Sequence, residues 1–269
     1  MKTAALILNS RNANAVRCAE RAGDFFRSRG IVSFDPQAED APAKPDVIVS
    51  FGGDGTLLIG ARYALHFDIP LLGINLGTVG FLTEEDPEHL EEALEALTAS
   101  SYQIETRNIL LVTNVGTGES FYALNDAVIT RGGYARLIRV DTYVDGKAYG
   151  SFTADGIIVA TPTGSTGYSL SAGGPIVEPG VNCMIITPVC PHSMQHCPCI
   201  VSEAADIRML LNPDREQTAE LQIDGQNMGS LSAGDEIHVT GTDKKIRLIR
   251  IHPYDFFGLT RKKLSEWGS

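Results

Sequence analysis

Asp54 stands among three glycines in FGGDGTLL (Phe51–Leu58), directly after the apolar run DVIVS (Asp46–Ser50). A strand that ends in glycines and opens a helix presents unpaired N–H groups and the positive end of a helix dipole, which suits an anion. Gly52, Gly53 and Gly55 carry no Cβ, so the backbone can approach a phosphate closely and adopt positive φ. No Lys-Ser/Thr pair follows, so this is not a Walker loop, and G-x-G-x-x-G does not fit either. Without that lysine, Asp54 would repel a phosphate held too close. Its carboxylate therefore points to work on a neighbouring hydroxyl or on a metal. The simpler reading is a glycine turn with Asp as a helix cap.

A second chemistry-bearing segment is TPTGSTGYSLSAGGPI (Thr161–Ile176). Thr163, Ser165, Thr166, Ser169 and Ser171 are five hydroxyls within nine residues, beside Gly164, Gly167, Gly173 and Gly174. Hydroxyls and freed amides can bind sugar or phosphate oxygens without net positive charge, and Tyr168 offers a ring for stacking on a base. A turn-rich linker would share the glycines but has less need of the hydroxyls. Asn125 and Asp126 lie inside the strand-like run ALNDAVIT, where both types are disfavoured, so an edge, a bulge or a site is expected. Asp155 in TADG is individually weak, and Asp224 in IDGQ is explained by a hairpin turn alone. CPHSMQHCPC (Cys190–Cys199) holds three cysteines and two histidines. It lacks paired C-x-x-C knuckles, so a loop with small buried cysteines is favoured over zinc.

The elements that must position these segments fall into two kinds. TAALIL, IVSF, DVIVSF and IPLLGINL read as strands. Helices are expected over Asn14–Arg29, Thr56–His66 and Pro87–Leu97. Continuous apolar strands separated by helices imply a parallel sheet covered on both faces. From about residue 101 to 250 the pattern becomes short β runs with turn signals, among them NILLVTNV, SFYALNDAVIT, DGIIVATP, MIITPV, EIHVTG and KIRLIRI. VDG at 144–146 and IDG at 223–225 read as hairpin turns. The tail HPYDFFGLTRKKLSEW turns helical again. The expectation is a Rossmann-like α/β domain over residues 1–100, rejoined by a C-terminal helix in 251–269, and an all-β domain over 101–250.

The chain has 269 residues, with 22 basic against 33 acidic side chains and a net charge of −11. That balance argues against nucleic acid or an anionic membrane surface as the main partner. The apolar part of MKTAALILNSRNANA is too short for a secretory signal, and no run approaches the length of a membrane span. Reduced thiols and a cytoplasmic location are expected from five cysteines in a chain with no mark of export.

Taken together, the segments resemble the NAD kinases, which phosphorylate the 2′-hydroxyl of the adenosine ribose of NAD to make NADP. The resemblance rests on GGDGT (52–56), GINLGTVGFL (73–82), ND (125–126), DG (155–156), TPTGSTGYSLSAGGPI (161–176) and PHS (191–193), in the family's order. It implies that Asp54 accepts the proton of the ribose 2′-hydroxyl, with Gly55 beside the same nucleotide. Gly52, Gly53 and Thr56 would shape the pocket for the donor phosphates, and Phe81 would line the NAD pocket. Asn125 and Asp126 match the family's Asn-Glu/Asp pair on the adenine and ribose side. Asp155 and the loop residues Thr163, Thr166, Gly167, Tyr168, Ser169, Leu170 and Ser171 would complete the nucleotide site. Gln226 is expected to reach the nucleotide, and Arg136 to be a basic contact.

Two positions depart from the commoner pattern: Asp126 stands where Glu is usual, and Gly167 where Ala is usual. The resemblance further implies NAD as acceptor, ATP or inorganic polyphosphate as donor, a divalent metal (Mg²⁺ or Mn²⁺), and a homodimer or homotetramer. Such transfer depends on positioning and on charge stabilisation at the phosphoryl oxygens. A lipid or sugar kinase sharing the GGDGT loop and a non-catalytic NAD(P)-binding regulator are the competing readings.

Overall fold

Strands β1 (Thr3–Leu8), β3 (Val47–Gly52) and β4 (Leu71–Asn75) are apolar almost throughout, and β3 and β4 are buried along their whole length. Only a sheet covered on both faces can accept such strands. The computed structural model describes residues 1–267 apart from 39–40, 42–43, 78–79, 84–85, 133–136 and 193–196. By contacts the chain divides into two units, 1–106 with 246–269, and 107–245.

In the first unit, β2 (Val32–Phe34), β1, β3 and β4 pair in that order, all parallel. Helix α1 (Ala13–Ser28) packs between β1 and β2 in sequence. Its N-terminus is capped by Asn12, whose Oδ1 accepts from the amides of Asn14 at 2.9 Å and Ala15 at 3.4 Å. Its buried stripe is mostly small, with Ala15, Ala19, Ala22 and Gly23 ending on Phe26, so the helix can lie close to the sheet. Helix α2 (Asp54–Phe67) follows β3. A 3₁₀ turn (Pro87–His89) leads into α3 (Leu90–Thr98). Phe26, Val49, Phe51, Leu72, Ile74 and Leu94 belong to one core cluster.

The second unit is antiparallel. It contains most of β5 (Gln103–Asn114), then β6 (Ser120–Ala123), β7 (Asp126–Arg131), β8 (Ile138–Val144), β9 (Lys147–Ala154) and β10 (Gly156–Ala160). A 3₁₀ turn (Thr163–Thr166) and the single turn α4 (Tyr168–Ser171) come next. β11 (Cys183–Val189), β12 (Cys199–Ser202), β13 (Asp206–Leu211), β14 (Thr218–Ile223), β15 (Gln226–Ser232) and β16 (Glu236–Arg250) complete it. Among the described residues, β12, β11, β10, β7, β14 and β15 form one antiparallel sheet in that order. β9, β8, β13 and the first part of β16 pair antiparallel in another layer, and β5 pairs with β6. Alternating burial along β13 and β14 marks strands with one face on a core. Ile129, Ile157, Ile186, Ile207, Leu221 and Val239 meet in that core.

The last part of β16 returns to the first unit, where Leu248 pairs parallel with Leu71, and α5 (Phe256–Trp267) follows. EIHVTG and KIRLIRI, read as separate runs, are the two ends of this one strand. No helix of the described residues is long and apolar enough to cross a membrane.

Four expectations are corrected. The run SFYALNDAVIT is not continuous: it breaks at Leu124–Asn125, because the amides of residues 124–126 turn to a side chain instead of a ladder. The second helix begins at Asp54 rather than Thr56, with Gly53 as its cap residue, so Asp54 is not the cap. The hydroxyl-rich loop is two short helical turns. Cys190 and Cys197 are exposed and Cys199 partly so, where buried cysteines were expected. Arg136 and Ser193 lie outside the described residues.

Candidate functional site

In the first unit the chemistry gathers around Asp54, in the first turn of α2, where a carboxylate complements the helix dipole. Its Oδ2 accepts from the amide of Phe81 at 2.8 Å, and its Oδ1 from those of Leu82 at 3.1 Å and Thr83 at 3.3 Å. A carboxylate has about four acceptor positions. Three are filled by backbone, which fixes the group's orientation and leaves one for a further donor. Gly80 makes this approach possible, since a Cβ there would collide with Asp54 Oδ1 and the Thr83 hydroxyl. Two polar atoms of this cluster are buried without a partner among the described residues, Thr83 Oγ1 and Asn75 Oδ1, the latter at the end of β4. Gly52 closes β3, while Gly53 and Gly55 are exposed and Thr56 is half-buried in α2. Phe81, half-buried, faces Phe256 of α5 at 6.5 Å between ring centres.

In the second unit the organising group is Asp224, at the β14–β15 turn. Its carboxylate accepts from the amides of Leu124 (3.0 Å), Asn125 (2.7 Å) and Asp126 (3.2 Å). The Asp224 amide in turn donates to the carbonyl of Asp126 at 3.0 Å. The turn signal in IDGQ was legible, but its partners lie about a hundred residues upstream, so sequence reasoning undervalued it. Thr161 ties the hydroxyl-rich segment to the same place. Its amide donates to the carbonyl of Asn125 at 2.8 Å and its hydroxyl to that of Leu124 at 2.6 Å. Gly164 lies so close that a Cβ would overlap the Asn125 carbonyl.

Asn125 Oδ1 is thereby buried with no hydrogen-bond partner among the described residues. Such an oxygen costs free energy unless a ligand or water meets it. Asp126 is buried, and burial, with the charge of Asp224 second, pushes its pKa up to about 7. Asp155 pairs with Arg131 at 2.7 Å, a cation that sequence reasoning missed.

The hydroxyls of Thr163–Ser171 do not all face one way. Ser165 and Ser169 are fully buried. Ser165 Oγ donates to the Val177 carbonyl at 3.1 Å, and Ser169 shares a 2.9 Å bond with Thr187. Their side chains brace the turns instead of opening to a ligand. Thr163 Oγ1 accepts from the buried guanidinium of Arg107 at 3.4 Å, another partner absent from the sequence reading. Thr166 donates to the Thr163 carbonyl at 3.3 Å, and Gly167 and Leu170 are half-buried. Tyr168 and Ser171 are exposed. Burial raises the Tyr168 phenol, with the charges of Cys190, Asp155 and Asp126 adding to it, so the ring lies within electrostatic reach of both acids. Gln226 is exposed at the start of β15. A separate cavity of about 390 Å³, lined by Asn182, Glu203, Asp243 and Lys245 among others, contains none of these residues.

Comparison with known proteins finds matches to both parts of the chain. Residues 28–102 match the family model described as the ATP-NAD kinase N-terminal domain, and residues 124–251 that of the ATP-NAD kinase C-terminal domain. A curated NAD kinase of Geotalea daltonii is 37% identical, covering 100% of this chain and 99% of that protein. One from Heliobacterium modesticaldum is 36% identical over 99% of each. Among solved structures, yeast NADH kinase complexed with NADH is similar at a TM-score of 0.86 and 26% identity, over 100% of this chain and 89% of that one. An NAD kinase from Archaeoglobus fulgidus in complex with ATP gives 0.76 and 28%, over 98% of both. Motifs, fold and relatives agree, and the chain belongs to the ATP-NAD kinase family.

Proposed function

We propose that the chain transfers the γ-phosphoryl group of ATP, or a phosphoryl group of inorganic polyphosphate, to the 2′-hydroxyl of the adenosine ribose of NAD, with Asp54 as general base. The hydroxyl oxygen forms the new P–O bond, its proton passes to Asp54, and the bond to the donor's leaving phosphate breaks. A positioned base of this kind contributes about 10²–10⁴-fold. The observation that carries the reading is the carboxylate of Asp54, held in one orientation by three backbone amides with an acceptor position to spare.

Asn125, Asp126, Asp155, Thr163, Thr166, Gly167, Tyr168, Ser169, Leu170, Ser171 and Gln226 are assigned to NAD, with Gly55, Phe81 and Arg136. Within that set, Asn125 Oδ1 and Asp126 offer polar atoms toward the nucleotide, Tyr168 offers a ring face, and Ser169 acts through packing. Gly52, Gly53 and Thr56 are assigned to the donor phosphates. The relatives solved with NADH and with ATP support nucleotides of both kinds as ligands.

Among the described residues no group of three or more His, Cys, Asp or Glu side chains could hold a metal ion. Mg²⁺ is commonly carried by substrate phosphates with few protein ligands. A Mg²⁺ or Mn²⁺ ion would accordingly arrive on the donor and neutralise its oxygens, and no residue of the chain is assigned to it. A homodimer or homotetramer in the cytoplasm completes the reading; the five free cysteines fit a reducing compartment.

The test is NAD phosphorylation from ATP or polyphosphate, with and without Mg²⁺, in wild type and Asp54→Asn. Wild type should be active and fall silent in excess chelator. The variant should bind NAD normally and lose at least about 10²-fold in kcat. Near-wild-type turnover by Asp54→Asn would remove the base assignment.

A further inference from the structure

Asp54 is held through three peptide groups, and two of them are gripped from their other side by the C-terminal segment. The carbonyl of Phe81 and the amide of Leu82 belong to one peptide unit. That carbonyl accepts from Tyr254 Oη at 3.2 Å, while the amide donates to Asp54 at 3.1 Å. The carbonyl of Leu82 and the amide of Thr83 form the next unit. Its carbonyl accepts from Arg250 Nη1 at 3.0 Å, and its amide donates to Asp54 at 3.3 Å. Arg250 is 3% exposed, its Nε bonds Glu105 Oε2 at 2.6 Å, and its guanidinium lies 4.4 Å over the Tyr254 ring.

We infer that Arg250 and Tyr254 are positioning residues for the general base, acting on Asp54 through the 81–82 and 82–83 peptide groups. The inference rests on the reading of Asp54 as the base. Two physical effects carry it. Hydrogen bonds in a chain polarise one another, by about 10–30% per bond, so a donor on the carbonyl strengthens the amide on the same peptide. The guanidinium bond is charge-assisted, the stronger kind, and its donor is fixed by a half-buried carboxylate partner and by stacking. An acid set among glycines thus gains a rigid support from residues nearly two hundred positions away. Misplacement of a catalytic group by an ångström can cost about 10²-fold, so loosening either grip should slow chemistry more than binding.

The experiment measures kcat, KM for NAD and for ATP, and thermal stability for Tyr254→Phe, Arg250→Lys and Asp54→Asn, and for each of the first two combined with Asp54→Asn. Tyr254→Phe keeps the ring on Arg250 and removes the hydroxyl that bonds the Phe81 carbonyl, so it remains informative if Arg250→Lys fails to fold. The expected result is a kcat reduced about tenfold by each single change, with both KM values within about twofold. In the Asp54→Asn background neither change should lower kcat further, because the group they orient is gone. If Asp54→Asn is inactive but the two variants keep wild-type kcat, or lose the same factor in the Asp54→Asn background, the inference is wrong and the base assignment stands. If Asp54→Asn itself turns over normally, both fall.

Discussion

Asp126 is a carboxyl almost out of reach of water, 5% exposed, with Asp224 as its charged neighbour. Its pKa, pushed up to about 7, makes it a pH-dependent burden on the fold. At acid pH the group is protonated in both states and costs nothing. Between about pH 4 and 7 the unfolded chain ionises first, so stability falls as pH rises, by at most about 1.4 kcal/mol per pH unit. Above that window both states are ionised and the penalty is constant. Asp126→Asn should therefore gain stability relative to wild type between pH 5 and pH 8, measured by urea unfolding at each pH. An identical difference at both would show that Asp126 does not titrate there. The same residue can donate a hydrogen bond below its pKa and only accept above it. That proton is a property of burial, and ALNDAVIT alone gives no sign of it.

The hydroxyl-rich segment stands out in the sequence, but its shape does not. Spacing marks Thr161–Ser171 as unusual, yet which hydroxyls turn inward depends on two short helical turns whose partners, Val177 and Thr187, lie outside it. Strand direction is easier to read, because β3 and β4 need only be apolar. Helix starts are harder: α2 begins at Asp54 with no side-chain cap, so no capping residue announces it. The turn at Thr163–Thr166 is pinned at Gly164, whose missing Cβ lets it lie on the Asn125 carbonyl. Gly164→Ala should force backbone apart and cost about 1–3 kcal/mol. It should also raise KM for NAD by moving Asn125. Gly55→Ala, where nothing stands within 4 Å of a Cβ, is the control, with stability changed by no more than about 0.5 kcal/mol. Equal melting temperatures for the two variants would contradict this account.

For the molecule as a whole, the change from helix-and-strand to short-strand patterning near residue 101 is visible because the two architectures bury strands differently. The α/β class of the first unit, the β class of the second and the helical tail all follow from that patterning. What it does not reveal is reach: Asp224 to Leu124, Arg250 to Leu82 and Tyr254 to Phe81 are contacts between segments whose local sequence is unremarkable. The longest reach is that of β16. Leu248 pairs with Leu71, and Ile249 joins the cluster of Ala4, Val49 and Leu72. The unit that begins the chain is therefore finished by its last twenty-four residues, whereas residues 107–245 are contiguous. Chains usually fold N-terminal part first as they are made; here the order of completion should be inverted. During refolding, amides of β7, β10 and β14 should gain exchange protection before those of β3 and β4, and simultaneous protection would argue otherwise. On the ribosome, the segment carrying Asp54 would then wait as an unfinished sheet until residues 246–250 have been made, making it the interval in which a nascent chain most needs shelter.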